Sequence, residues 1–275
     1  MNEIKDIKCF LLDMDGTFYL GNTLIDGALE FLDILKDQGK NFIFLTNNSS
    51  KSKSAYKEKL AALGCYVNEE KIYTSGEATI WYMKKNCLGN RVYLMGTEPL
   101  MKEFEDAGFK LVKNKKDKPD YVVIGFDTTL TYEKIWTACD YLRDGIPFIA
   151  THPDFNCPIE DNKYMPDTGA MIRMFEASTG ISPLVIGKPY KYIVEAIMEK
   201  YDLKKEEVAI VGDRLYTDIK TGVNAGITSI LVLSGETSEE MYKNSDISAD
   251  YIFPSIKDIG EELKKLKKDL LNVVY

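Results

Sequence analysis

Residues 9–17 read Cys9-Phe10-Leu11-Leu12-Asp13-Met14-Asp15-Gly16-Thr17, and the fold turns on how that stretch is read. Four successive apolar residues without alternation describe a strand buried on both faces, as in a parallel sheet covered by helices. The run stops at two carboxylates followed by a turn through Gly16 and Thr17. Carboxylates set directly beyond a buried strand are costly, and each disfavours ionisation of the other. Taken alone, the segment is explained equally well by a surface turn of the Asx type and by a catalytic pair.

Outward from this stretch, Ala28, Leu29, Phe31, Leu32 and Leu35 follow at helical spacing, and Gly39 supplies the stop. Phe42-Ile43-Phe44-Leu45 reads as a second buried strand ending at Thr46-Asn47-Asn48-Ser49-Ser50, with a helix over about 52–63 closed by Gly64. The same grammar returns near the C-terminus. Leu184-Val185-Ile186 leads to Gly187-Lys188-Pro189 and a helix carrying Tyr192, Ile193, Ala196 and Ile197 on one face. Val208-Ala209-Ile210-Val211 ends at Gly212-Asp213-Arg214-Leu215-Tyr216-Thr217-Asp218, and Ile230-Leu231-Val232-Leu233 is a further strand. Strands alternating with helices predict an α/β protein with a parallel sheet covered on both sides. Ligands of such sheets bind beyond the carboxyl ends of the strands, where the polar clusters fall. Residues 80–183 have their own alternation, with strands at Val92-Tyr93-Leu94-Met95, Tyr121-Val122-Val123-Ile124 and Phe148-Ile149-Ala150. They are read as an inserted α/β domain between core segments 1–79 and 184–275.

The second acidic cluster shifts the reading of the first. If the strands before Asp13 and Asp213 are neighbours, up to four carboxylates (Asp13, Asp15, Asp213 and Asp218) converge at one edge of the sheet. Such a group requires cations among it. An all-oxygen donor set suits magnesium, which keeps several waters and is completed by a phosphate. Asp218 could equally cap a helix. Thr46 to Ser50 offers hydroxyls, amides and main-chain N–H groups between a strand end and a helix start, which suits an anion or a plain helix cap. Lys188 reads either as solvated surface or as the fixed positive charge that a carboxylate cluster needs.

Composition narrows the function classes. The 275 residues are 45% apolar and 28% charged, the balance of a soluble globular protein, and the net charge of −8 argues against nucleic-acid and anionic-membrane partners. Five scattered cysteines without a Cys-x-x-Cys pair fit reduced thiols in the cytoplasm, and residues 1–8 lack the pattern of a signal peptide. No run approaches the ~18 apolar residues of a membrane span. A single histidine, His152, excludes chemistry that needs two imidazoles.

Taken in order, Asp13-Met14-Asp15-Gly16-Thr17, Thr46-Asn47-Asn48-Ser49-Ser50, Gly187-Lys188-Pro189 and Gly212-Asp213-Arg214-Leu215-Tyr216-Thr217-Asp218 resemble the four signature motifs of the haloacid dehalogenase-like superfamily, over the whole chain. Residues 18–45 are too few for a helical cap between the first two motifs, whereas 51–187 hold a large insert between the second and third. That arrangement is similar to the NagD-like phosphatases and p-nitrophenylphosphatases. The resemblance implies a Rossmann-like three-layer core with an α/β cap, and magnesium-dependent hydrolysis of small phosphate monoesters through an aspartyl-phosphate. It makes Asp13 the nucleophile and Asp15 the general acid and base. It assigns the phosphoryl oxygens to Thr46 and the Asn47 amide, and charge neutralisation to Lys188. Magnesium would be held by the Asp13 carboxylate, the Asp15 main-chain carbonyl and the Asp213 carboxylate, with Asp218 orienting a water beside it. In the cap, Asp154, Asn156, Asp167 and Thr168 stand as substrate-facing candidates, and His152 as a structural loop residue. The implied partner is a small phosphorylated metabolite, and a homodimer stays open. Two rival readings are a phosphomutase of the same superfamily, which the insertion site disfavours, and a non-catalytic binding protein. The intact set of Asp13, Asp15, Lys188 and Asp213 disfavours the latter.

Overall fold

Cys9, Phe10, Leu11 and Leu12 are wholly buried because strands flank them on both sides: Cys9–Leu12 pairs in parallel with Val208–Gly212 and with Asn41–Thr46. A strand placed so, with helices above and below, has no face for a polar side chain, which explains its unbroken apolar run. The structure, a computed structural model, describes residues 3–113, 115–159 and 163–273. The full sheet has six strands in the order Tyr251–Phe253, Thr228–Val232, Val208–Gly212, Cys9–Leu12, Asn41–Thr46, Ile72–Thr74. It belongs to a first compact unit made of Met1–Thr46, Lys57–Tyr73 and Pro189–Tyr275.

The helix Ala28–Asp37 buries Ala28, Phe31, Leu32, Ile34 and Leu35, and Phe10 meets Phe31 edge-on at 5.8 Å. Leu29, expected on the apolar face, is instead 40% exposed. Leu29 and Ile34 flank the buried 28–31–32–35 stripe on opposite edges, each one step of about 100° from a stripe residue. Ile34 is covered by the helix Ile256–Val273 at Gly260, whereas the edge carrying Leu29 stays at the surface. The helix Lys53–Ala62 stands within the span expected for it, and the helix Tyr192–Lys200 buries Ile193, Val194, Ala196 and Ile197.

A second compact unit, Asn47–Tyr56 with Thr74–Lys188, has its own parallel sheet of five strands. Their order is Leu184–Val185, Phe148–Ala150, Tyr121–Ile124, Arg91–Met95, Lys110–Leu111. Leu184–Val185 thus pairs with Phe148–Ala150 rather than with any strand of the six-stranded sheet. Helices Tyr132–Arg143 and Thr168–Thr179 cover one core, in which Val122, Ile124, Leu142, Phe148 and Phe175 are buried. Thr131 and Asp167 cap those two helices through their side chains. An antiparallel hairpin pairs Asn156–Ile159 with Lys163–Pro166. Among the described residues, no helix is long and apolar enough to cross a membrane.

Candidate active site

In the first unit, the chain leaves Leu12 still tied to the neighbouring strand, since Asp13 N–H donates to the Val211 carbonyl at 2.9 Å. It then folds back sharply: Gly16 N–H donates to the Tyr19 carbonyl at 2.8 Å, and Phe18 N–H to the Met14 carbonyl at 2.9 Å. Gly16 has φ +83, and a Cβ there would collide with the Asp213 carboxylate. Only glycine meets both demands. The next strand, Val208–Gly212, delivers Asp213 from the adjacent position in the sheet.

Asp213 is 2% exposed and heavily tethered. Its Oδ2 accepts from Glu236 N–H at 2.7 Å, its Oδ1 from Thr17 Oγ1 at 3.4 Å, and its carbonyl from Thr237 N–H at 3.2 Å. Ser234 Oγ donates to the Gly16 carbonyl at 2.8 Å, so one loop after Thr228–Val232 braces both acidic turns. A Cβ on Gly235 would also strike Asp213. The residues after Asp213 wind as a single π turn, Leu215–Ile219, a form common at functional sites. It brings Asp218, wholly buried, back over Gly212, which has no room for a Cβ against it. Asp218 Oδ2 accepts from Arg214 N–H at 3.1 Å.

One carboxylate oxygen each from Asp13, Asp213 and Asp218 lies within 4.8 Å of the others. The Asp15 carboxylate is outside that set, on the exposed side of the turn. Burial, and then the charges of Asp13 and Asp218, push the Asp213 carboxyl up to about 7. Surrounding protein raises the Asp15 carboxyl as well; Lys59 opposes the rise and Asp13 adds to it. Arg214 is mostly buried: burial opposes its charge, but Asp13 and Asp213 outweigh that and hold it firmly protonated. Its Nε lies 3.0 Å from Glu236 Oε2, which also accepts from the Tyr216 hydroxyl at 3.1 Å. One guanidinium among three close carboxylates leaves negative charge uncompensated. An all-oxygen set of this kind fits a hard divalent cation such as magnesium.

The second unit gathers another group of the residues singled out in the sequence. Asn47 Nδ2 donates to the Lys188 carbonyl at 2.9 Å and to both Asp154 carboxylate oxygens at 3.1 and 3.2 Å. Asn47 Oδ1 accepts from Lys188 N–H at 2.8 Å. His152 is wholly buried, with Nε2 2.9 Å from Asp167 Oδ1 and Nδ1 2.8 Å from Thr151 Oγ1. Burial opposes a charge on this ring, but Asp167 and then Asp154 outweigh it and raise its pKa. Asp167 also accepts from Thr168 N–H at 2.6 Å and from the Thr168 hydroxyl at 3.1 Å. Asp167 and Thr168 are therefore buried and committed to each other, and Asp154 to Asn47, whereas Asn156 is exposed on the hairpin. Thr46 ends the strand Asn41–Thr46 in the first unit and is 9% exposed.

Sequence reasoning passed over Arg214, Ser234, Gly235 and Glu236 as site residues. Arg214 sat inside a quoted motif, and its position between two acidic residues was the available signal. The loop 234–236 carries none, since its contact to Gly16 spans most of the chain and its contact to Asp213 follows no motif or periodicity.

Residues 10–110 match the family described as haloacid dehalogenase-like hydrolase, and 185–259 a second, HAD-hydrolase-like family. An acid sugar phosphatase of Staphylococcus aureus is 38% identical over 265 residues, covering 96% of this chain and all of the relative. The crystal structure of a 4-nitrophenylphosphatase from Thermotoga maritima superposes with a TM-score of 0.89 at 46% identity, covering 94% of this chain and 98% of that one. A glycerol phosphate phosphatase of Mycobacterium tuberculosis, solved in complex with magnesium, gives a TM-score of 0.87 at 29% identity, covering 95% and 79%. With its motif-bearing strand ends in place and such relatives along nearly its whole length, the chain belongs to the haloacid dehalogenase-like hydrolases.

Proposed function

We propose that this protein is a magnesium-dependent phosphatase that hydrolyses small phosphate monoesters through an aspartyl-phosphate on Asp13. The observation that carries the reading is the convergence of Asp13, Asp213 and Asp218 beyond two adjacent parallel strands. The phosphatase names of the relatives support it. Magnesium, held by the carboxylates of Asp13 and Asp213 and the Asp15 main-chain carbonyl, with Asp218 beside it, would offset charge on the transferring phosphoryl group.

The protein's own groups divide the remaining work. Asp13 attacks phosphorus, so that one hard displacement becomes two easier ones. Asp15 donates a proton to the leaving alkoxide and then takes one from the water that cleaves the acyl phosphate. Its raised pKa suits a group that must hold a proton at the first step. Thr46 and the Asn47 main-chain N–H hold phosphoryl oxygens, and Lys188 supplies positive charge against them. Residues 80–183 act as a cap, with Asn156 the exposed candidate for substrate contact. Sugar phosphates are the first substrate class to examine, given the acid sugar phosphatase relative.

Purified protein should release phosphate from p-nitrophenyl phosphate with magnesium present and lose that activity in excess EDTA. A panel of phosphorylated metabolites ranked by kcat/KM would then identify the substrate class. Full activity in excess EDTA would overturn the metal dependence, and no release from any monoester would overturn the function.

A further inference from the structure

The side-chain amide of Asn47 is committed at both ends within the second unit. It faces the Lys188 main chain as one peptide group faces another, accepting from Lys188 N–H at 2.8 Å and donating to the Lys188 carbonyl at 2.9 Å. Its second N–H lies against the Asp154 carboxylate at 3.1 and 3.2 Å. The close approach is built in: a Cβ on Gly187 would collide with Asn47 Oδ1 and with the Thr151 carbonyl, to which Gly187 N–H donates at 2.8 Å. Ser75 Oγ donates to the Asn47 carbonyl, fixing the residue from its other side.

Asp154 is in turn held. Its carbonyl accepts from Gly169 N–H at 2.7 Å, in the first turn of the helix that Asp167 caps. Gly169 has no space for a Cβ against the Pro153 carbonyl. Asp167 bonds His152 at 2.9 Å. Burial raises the Asp154 carboxyl above the usual carboxylate range, and His152 and then the Asn47 amide oppose that rise. The Asp154 carboxylate thus holds the Asn47 amide, and that amide holds the Lys188 backbone. The Asp154 main chain is itself anchored at the helix that Asp167 caps, as in a support that fixes a functional group from behind.

We propose that Asn47 and Asp154 are positioning residues that fix the backbone of Lys188, and that Asp154 makes no contact with substrate. A lysine carries its charge on a flexible four-carbon stem, so its backbone must be fixed if the ammonium is to meet a phosphoryl group without reorganisation. The side chain of Asn47, committed to Lys188 and Asp154, leaves phosphoryl contact to its main-chain N–H. This inference rests on the phosphatase reading and on the role given there to Lys188.

The test compares wild type, Asp154→Ala and Asp154→Asn on p-nitrophenyl phosphate and on several chemically unlike phosphate monoesters. Thermal unfolding is followed alongside to count folded enzyme. Asp154→Ala should lower kcat about 100-fold, the scale of a displaced catalytic group, by the same factor on every substrate and with KM little changed. Asp154→Asn keeps an oxygen that accepts from Asn47 and should recover most of the loss. A merely structural role would lower the folded fraction and leave kcat per folded molecule intact, which overturns the proposal. So would a rise in KM on some substrates only, or a reordered substrate ranking, because either places Asp154 against substrate. Wild type that releases no phosphate from any monoester would overturn the phosphatase reading itself, and this inference with it, a result distinct from either Asp154 outcome.

Discussion

At the scale of single residues, Asp213 shows the burden that the proposed cation would relieve. Its carboxyl stands near 7 because burial and two acidic neighbours oppose its charge, more than the Glu236 N–H and Arg214 offset. Gly16 is the geometric counterpart, at φ +83 and against Asp213. Gly16→Ala should cost about 1–3 kcal/mol of folding stability from the backbone alone. Urea denaturation measures this; an unchanged midpoint would mean the turn can relax away from Asp213. His152 offers a prediction in pH. Its folded-state pKa is raised, so the stability it contributes is full below about 6.5, its unfolded value, and is lost as pH rises through the folded value. The fall in unfolding free energy over that window should be present in wild type and reduced in His152→Gln. Equal slopes in the two proteins would show that the ring stays neutral beside Asp167. Asp13 and Asp213 are legible together in the sequence because each stands at the end of an apolar run that reads as a buried strand. The place of Asp15 is not legible: it was expected to converge with them, but its carboxylate lies on the exposed side of the turn. The bond from Asn47 to Asp154 and Lys188 is not legible. The three residues are far apart in the chain, and no periodicity links a strand end, a loop and a glycine-bounded lysine.

At the scale of elements, the catalytic turns inherit their precision from the strands behind them. Cys9–Leu12 and Val208–Gly212 are neighbours in register, Leu12 opposite Val211, so their polar ends emerge side by side. Sequence patterns give such strands and their direction, since parallel pairing follows from the intervening helices. They do not give membership of a sheet for a two-residue strand. Leu184–Val185 pairs with Phe148–Ala150, a choice set by the packing of Val185 into the second unit's core. Leu29 shows the same limit within a helix, where an apolar residue adjoining the stripe is left at the surface. Phe10 makes the dependence of site on strand testable. It is wholly buried, packs on Phe31 and lies three residues before Asp13. Phe10→Ala should cost about 3–5 kcal/mol in denaturant unfolding. A loss below about 1 kcal/mol would mean that the core collapses around the gap.

At the scale of the whole molecule, a net charge of −8 repels the anionic substrate that the proposed chemistry requires. On the proposed function the attraction is local, and in the first unit Arg214 and a divalent cation at the Asp13, Asp213 and Asp218 carboxylates would supply it. A cation that binds the folded carboxylates stabilises the protein by mass action, by about 2.7 kcal/mol at a hundredfold excess over its dissociation constant. Millimolar magnesium should accordingly raise Tm by several degrees, and Asp213→Asn should abolish the rise. No shift in wild type would count against the metal site whatever the activity shows.

The central claim is a covalent phosphate on Asp13, and trapping it is the most direct test. In Asp15→Asn the second displacement lacks its base, while p-nitrophenolate leaves without needing a donated proton, so the intermediate should accumulate. Acid quenching during turnover, borohydride reduction and peptide sequencing by mass spectrometry should find homoserine in place of Asp13. Phosphorylation or reduction at any other residue, or an unmodified Asp13 while phosphate is being released, would contradict the account.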